Sequence, residues 1–222
     1  MDTWTIVVAG GSGARFGGAK QFAALGDRTV LDLSVATALA HSHGVVAVVP
    51  AEEVQRISAH FVSNHAVVVV GGGTTRSGSV RNGLGAVPEM AEIVLVHDAA
   101  RPLASGALYA AVIAAVGAGA DGAVPGVAVT DTIKHVTDDG VVINTPDRAR
   151  LIAVQTPQAF AASALRRAHE RGGDATDDAA LVEAIGGHVV VVAGEANNRK
   201  ITTPQDLAWA AEFMALSTGV PS

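Results

Sequence analysis

The sequence predicts an α/β fold: a mostly parallel sheet with helices on both faces and an inserted β-hairpin arm. Three observations carry this. Short, wholly apolar runs recur along the first 130 residues, each followed by a stretch with helical spacing. Strands that need no polar face are covered on both sides, as in parallel sheets. A glycine-rich loop follows the first run directly, and the composition suits a sizeable core: 222 residues, 49% hydrophobic and only 16% charged. With 4% aromatics, that core must be built from Val, Ala, Leu and Ile.

Thr5–Ala9 reads as a buried strand and Gly10–Ala19 as the loop. Val30–His41 has helical spacing, with Val30, Leu31, Leu33, Ala36, Leu39 and Ala40 recurring on one face. Val45–Val49 is a second strand, stopped by Pro50, and a helix is expected over Glu52–Ser63. Ala66–Val70 is a third strand, running into Gly71–Gly73 and a helix over Ser77–Val87. Ile93–Val96 is a fourth, ending at His97 and Asp98, followed by a helix over 104–118 and a strand around Gly122–Val129. Residues 131–147 then break the rhythm: two β-rich runs flank Asp138-Asp139-Gly140, a hairpin with an Asp-Gly turn. A hairpin inserted there reads as an arm, for joining subunits or closing a site. Helices at 161–171 and from near Thr176, a strand at His188–Val192 and a last helix complete the chain. That last helix has Thr203 as cap, Pro204 in its first turn and Asp206 at its positive end. The expectation is one domain over 1–222, with the arm at about 131–147.

The composition excludes several classes. Zero Cys rules out a disulfide scaffold, a Cys-based zinc site and a thiol nucleophile. No signal peptide is expected from the N-terminus, which lacks a basic region. Residues 102–120 carry no charge but contain Pro102, Ser105 and three glycines, which suits a buried Ala-rich helix better than a membrane span. A cytoplasmic protein is therefore expected, with no membrane partner. The net charge of −6 argues against nucleic acid as a partner, yet leaves room for small anions. Of 15 basic residues only three are Lys, namely Lys20, Lys134 and Lys200. A Lys kept in an Arg-rich chain can mark a place that needs a compact ammonium.

The loop Gly10-Gly-Ser-Gly-Ala-Arg-Phe-Gly-Gly-Ala-Lys20 offers backbone N–H groups and close approach to phosphate oxygens. Two familiar fingerprints fail on it. The dinucleotide motif needs a glycine one residue earlier than Gly17, and no acid stands at the tip of the second strand. The Walker spacing from Gly13 to Gly18 is right, but Ala19 and Gln21 stand where Lys and Ser/Thr belong. What remains places Arg15 and Lys20 to flank a triphosphate.

Taken in order, Ala9-Gly-Gly-Ser-Gly-Ala-Arg15, Lys20-Gln21-Phe22, Val96-His-Asp-Ala-Ala-Arg-Pro102, Asp131-Thr-Ile-Lys134, Gln155-Thr-Pro-Gln158, Thr176-Asp-Asp and Lys200-Ile-Thr-Thr-Pro204 resemble the 2-C-methyl-D-erythritol 4-phosphate cytidylyltransferase family of the non-mevalonate isoprenoid pathway. The resemblance runs from about residue 4 to 212. It implies a Rossmann-like nucleotidyltransferase domain whose β-arm pairs two subunits as a homodimer. By position, Ala9, Gly10, Gly11, Ser12 and Gly13 would hold the nucleotide, and Gly73, Thr74 and Ser79 would complete the cytidine pocket. Arg15, Lys20 and Lys200 would surround the α-phosphate as catalytic residues, and Asp98 would bind Mg²⁺. Arg101, Thr132, Arg148 and Thr156 would meet the polyol phosphate. The chain departs from the family's usual pattern at Val8-Ala-Gly-Gly11, at Thr74 and at Asn197, the last two standing where an Asp is common.

The chemistry implied is transfer of CMP from CTP to the polyol phosphate. Its attacking oxygen is already anionic, so no Ser/His/Asp pattern is needed. Competing readings are the same reaction on ribitol 5-phosphate, a dinucleotide-dependent oxidoreductase, and a nucleotide binder without turnover. Ala99-Ala100 and Asp131-Thr-Ile-Lys134 favour methylerythritol phosphate, and the failed fingerprint disfavours the oxidoreductase. Asp177-Asp178 reads as a helix start, with a role at the site's edge as the alternative, and His97 is given no role. Since the chain ends soon after its last helix, no fused second enzyme is expected.

Overall fold

The computed structural model describes residues 1–11, 13 and 15–218. Ser12, expected to bind nucleotide, lies outside the described residues. In chain order the elements are β1 (Thr3–Val8), β2 (Ala24–Leu25), β3 (Arg28–Thr29), α1 (Val30–His41), β4 (Gly44–Val49), α2 (Val54–His60), β5 (Val67–Gly71), α3 (Arg76–Ala86), β6 (Ile93–Asp98), α4 (Gly106–Gly117), β7 (Gly122–Ala128), β8 (His135–Val136), β9 (Val142–Asn144), β10 (Ile152–Val154), β11 (Gln158–Ala161), α5 (Ala162–Glu170), α6 (Asp178–Ala184), β12 (Val189–Ala193) and α7 (Pro204–Thr218).

Among the described residues the central sheet has eight strands. β5, β4, β1 and β6 lie side by side and parallel, and β12 runs parallel to β7. Period-2 alternation sends neighbouring residues to opposite faces. Val7, Val45 and Ala47 join Leu31, Val35, Leu108 and Val112 of α1 and α4 in one core. Ile6, Val46 and Val48 join Val80, Leu84, Leu165 and Val182 of α3, α5 and α6 in the other. β4 is buried along its whole length, so its unbroken apolar run is what its position requires. α1 starts at a capping box: the Thr29 hydroxyl accepts from Asp32 N while the Asp32 carboxylate accepts from Thr29 N. Among the described residues no helix is long and apolar enough to cross a membrane.

Three expectations need correction. Residues 152–161, most of them given no element by the sequence, form β10 and β11, both antiparallel to β7, with β11 also antiparallel to β6. The Gln155-Thr156-Pro157 interruption, whose Thr156–Pro157 bond is cis, divides two runs too short to register as strands. The helix expected over 52–63 is a 3₁₀ turn at Ala51–Glu53 followed by α2, which stops at His60. Asn64 N donates to Phe61 O, and the Asn64 side chain accepts from Ala66 N, a turn that competes with further helix. Within the glycine-rich segment, Lys20–Phe22 forms a 3₁₀ turn, and the unforeseen β2–β3 ribbon follows. The last helix packs onto that ribbon, Ala210 and Leu207 meeting Leu25, Val30 and Ile201 in a third small core.

Candidate active site

The carboxyl ends of β1, β5 and β6 open into a cleft of about 400 Å³, a size that suits a small-molecule ligand. Its walls come from five segments. Val8 to Gly11 leave the tip of β1, Gly73 to Arg76 and Ser79 join β5 to α3, Asp98 to Ala100 follow β6, and Lys20, Gln21 and Lys200 close the side. Two glycines are required by geometry. Gly13 has φ +63, and a Cβ there would stand 1.9 Å from Gly18 O. A Cβ on Gly73 would stand 2.7 Å from the Gly78 carbonyl carbon, so a side chain there would push α3 away from the cleft. Ser79 completes this turn, donating to Thr75 O and accepting from Gly73 N at 3.1 Å.

The charges of the cleft are arranged around one carboxylate. Asp98 is the last residue of β6, level with Val8 across the ladder. Lys200 Nζ lies 2.5 Å from its Oδ2, and Arg76 Nε lies 3.7 Å from its Oδ1. Burial pushes the Asp98 carboxyl up, but Lys200 and then Arg76 outweigh it and hold it at about 2. Lys20 donates to Ile201 O at 2.7 Å, which ties the end of the loop to the segment carrying Lys200. Its ammonium is pushed below the usual lysine range, first by burial and then by the Lys200 cation. Lys20, Lys200 and Arg76 stand around Asp98, and Asp178 pairs with Arg76 from behind, so among these groups the cations exceed the carboxylates by one, a charge that an anion would neutralise.

Behind Asp98 a hydrogen-bond chain fixes the strand tip. Asp98 N donates to Thr156 Oγ1 at 3.0 Å, and the Thr156 hydroxyl stands 3.2 Å from His97 Nδ1. His97 Nε2 stands 3.2 Å from the Arg101 carbonyl. Burial, with Arg101 adding to it, holds His97 down at about 4, so the ring is neutral at pH 7. Its Nε2 then donates and its Nδ1 accepts from Thr156, which satisfies every member of the chain. Asn198 adds to the cluster, its side-chain amide donating to Thr156 O while its backbone carbonyl accepts from Arg101 Nη1 at 2.7 Å.

The expected site residues thus do not all meet in one place. Ala9, Gly10, Gly11, Lys20, Gly73, Thr74, Ser79, Asp98 and Lys200 all line one cleft. Arg15 is exposed, and its cation acts on Lys20. Thr156 and Arg101 lie in the cluster behind Asp98, both tied to protein partners. Thr132 and Arg148 sit on the exposed arm; neither lines the cleft, and Arg148 Nη1 donates to Thr130 O at 2.6 Å across the arm's base. Sequence reasoning missed Arg76 and Gln21. Gln21 is 3% exposed, lines the cleft, and makes no side-chain hydrogen bond to any described residue. Its place beside Lys20 was the available signal. Arg76 had none locally, because what fixes it lies a hundred residues away in Asp178.

A profile of the family described as "IspD: 2-C-methyl-D-erythritol 4-phosphate cytidylyltransferase" matches residues 3–216. The chain belongs to this family. It is similar to a 2-C-methyl-D-erythritol 4-phosphate cytidylyltransferase of Rhodococcus opacus, 46% identical over 210 residues that cover 92% of each chain. It is also similar to a "Bifunctional enzyme IspD/IspF" of Nitratidesulfovibrio vulgaris, 48% identical over 94% of this chain and 57% of the relative. The chain therefore spans little more than half the length of such bifunctional relatives. Among solved structures, the 4-diphosphocytidyl-2C-methyl-D-erythritol synthase of Anaerococcus prevotii superposes with a TM-score of 0.84 at 30% identity, over 96% of this chain and 98% of that one. In this cytidylyltransferase family member, then, Asp98, Lys20 and Lys200 meet in one cleft although 78 and 102 residues of chain separate Asp98 from the two lysines.

Proposed function

We propose that this chain transfers CMP from CTP to 2-C-methyl-D-erythritol 4-phosphate, releasing pyrophosphate, on the route to isoprenoid precursors. The observation that carries the reading is the cationic cleft at the sheet's edge, in a chain of this family. An oxygen of the polyol phosphate attacks the α-phosphorus of CTP. The bond from that phosphorus to the bridging oxygen of the β-phosphate breaks, and pyrophosphate leaves with the electron pair. The attacking oxygen carries no proton at neutral pH, so no general base is needed. The barrier is electrostatic, one anion attacking another, and fixed cations relieve it. Lys20, Lys200 and Arg15 are the groups we assign to the α-phosphate. Ala9 to Gly13, Gly73, Thr74 and Ser79 would cradle the cytidine and its phosphates.

Asp98 is the residue we assign to Mg²⁺. A magnesium ion takes one or two carboxylates and completes its shell with phosphate oxygens and water, so a lone carboxylate in a phosphate-sized cleft fits. Among the described residues no cluster of three or more acidic or His groups gathers, which that mode of binding does not require. Bound there, the ion would add positive charge beside the reacting phosphates.

We also propose a homodimer joined through the arm, acting in the cytoplasm. Val136, Val141, Val142 and Ile143 are each about half exposed on the arm, an apolar patch that a second copy would cover. Thr132 and Arg148 do not line their own cleft, and an arm laid across a second copy would carry them to that copy's cleft. The direct test is pyrophosphate release from CTP and Mg²⁺, with methylerythritol 4-phosphate and ribitol 5-phosphate in parallel. Release with the first alone is expected. Release with ribitol 5-phosphate alone would replace the substrate, and release with neither would remove the reading.

A further inference from the structure

Arg76 opens α3 and lines the cleft. Its Nη1 donates to Asp178 Oδ2 at 2.7 Å, and Asp178 Oδ1 lies 2.9 Å from His169 Nε2. The Asp178 side chain is wholly buried and that of His169 is 3% exposed, so this carboxylate has been placed in the interior. A buried carboxylate is costly unless it is paired, and the start of α6 does not need one. Asp177 is the cap there, accepting from Ala180 N at 3.0 Å, and Asp178 follows it inside the helix. What Asp178 and His169 do together is anchor one edge of the Arg76 guanidinium.

The opposite edge has only the longer ion pair to Asp98. Arg76 Nε and Nη2 make no hydrogen bond to any described residue, and Nε faces the cleft, 3.7 Å from Asp98 Oδ1. The Nε–Nη2 edge of an arginine is a fork that suits two oxygens of one phosphate, and a fork already held by a carboxylate loses little freedom when it binds. Lys200 and Lys20 line the same cleft, and Lys200, like Arg76, acts on Asp98. We infer that Arg76 is a further phosphate-contacting residue of the nucleotide site, with Asp178 and His169 as the residues that position its guanidinium. This rests on the reading of the cleft as a CTP site.

The test compares affinity for CTP, by titration calorimetry in EDTA, with affinity for cytidine, by NMR titration. Both are measured on the wild type, Arg76→Met, Arg76→Lys and Asp178→Asn. The phosphate contact predicts that Arg76→Met weakens CTP about 10- to 100-fold while cytidine binding stays unchanged. Arg76→Lys keeps the charge without the fork and should fall between, at an unchanged melting temperature. Asp178→Asn should follow Arg76→Met in its ratio of CTP to cytidine affinity. A general loosening of the site would weaken both ligands together, and that result, or unchanged CTP affinity in Arg76→Met and Arg76→Lys, overturns the inference. Failure of the wild type to bind CTP would instead overturn the reading of the cleft on which it rests.

Discussion

The cleft and the arm are built by opposite means. The cleft is fixed from below: Asp98 ends a strand whose other residues are all buried, and its backbone N–H, its carboxylate and the neighbouring His97 are all engaged. The arm is held mostly by its own bonds. β8 and β9 have two and three residues, every residue in them is exposed, and Lys134 bonds Thr145 at 2.7 Å across the ribbon. An isolated two-stranded ribbon is marginal in water, so the arm is a segment that gains most from a second surface. The lesson is that the cleft is arranged by the monomer's own core, whereas Thr132 and Arg148, two of the four residues expected at the second substrate, stand on a segment that the core does not hold.

The largest effect should come from the cleft. Arg15→Ala or Lys20→Ala should lower kcat by about 10³-fold or more, with the circular dichroism melt unchanged. A normal kcat in either would remove that residue from the reaction. The next test breaks the comparison at the arm. Arg148→Ala and Lys20→Ala, each inactive alone, should recover about a quarter of wild-type activity when mixed and allowed to exchange subunits, because half the pairs would then hold one intact site. No recovery, with both proteins dimeric, would mean that each arm serves its own cleft.

How much of this was legible in the sequence follows the same division. α1 was bounded correctly because Thr29 and Asp32 cap it locally and its apolar spacing is regular. The parallel strands were legible because burial on both faces leaves only Val, Ile, Leu and Ala to write them with. β10 and β11 were not, since three or four residues beside a proline carry no periodicity, and only pairing with β7 makes them strands. Within the site, Asp98 and the lysines stood in motifs, but Arg76 was invisible. Its meaning depends on Asp178, which local reading assigns to a helix start, with a role at the site's edge as the alternative.

A smaller effect sharpens the claim that the cleft floor belongs to the core. His97 is held at about 4, below its unfolded value, so between about pH 6.5 and 4 the unfolded chain binds a proton that the folded chain refuses. Stability should therefore fall as pH drops through that window, by about 3 kcal/mol from this residue, and level off for it below pH 4. Chemical denaturation at pH 7 and pH 4.5 on the wild type and His97→Gln measures the difference. An equal acid loss in both would remove His97 as its source. The smallest effect is expected on the arm, where Lys134→Ala should change monomer stability by no more than about 0.5 kcal/mol. A loss several times larger would show that the ribbon is part of the cooperative fold.

The proposed reaction is defined by the bond it makes. ³¹P NMR of the protein with CTP, Mg²⁺ and 2-C-methyl-D-erythritol 4-phosphate follows that bond directly. The CTP signals should decay while pyrophosphate and a coupled pair of diphosphate-ester signals grow in equal amounts, and ribitol 5-phosphate should leave CTP untouched. Growth of inorganic phosphate and CDP without a diphosphate ester would contradict it, since attack would then have fallen on the γ-phosphate rather than the α.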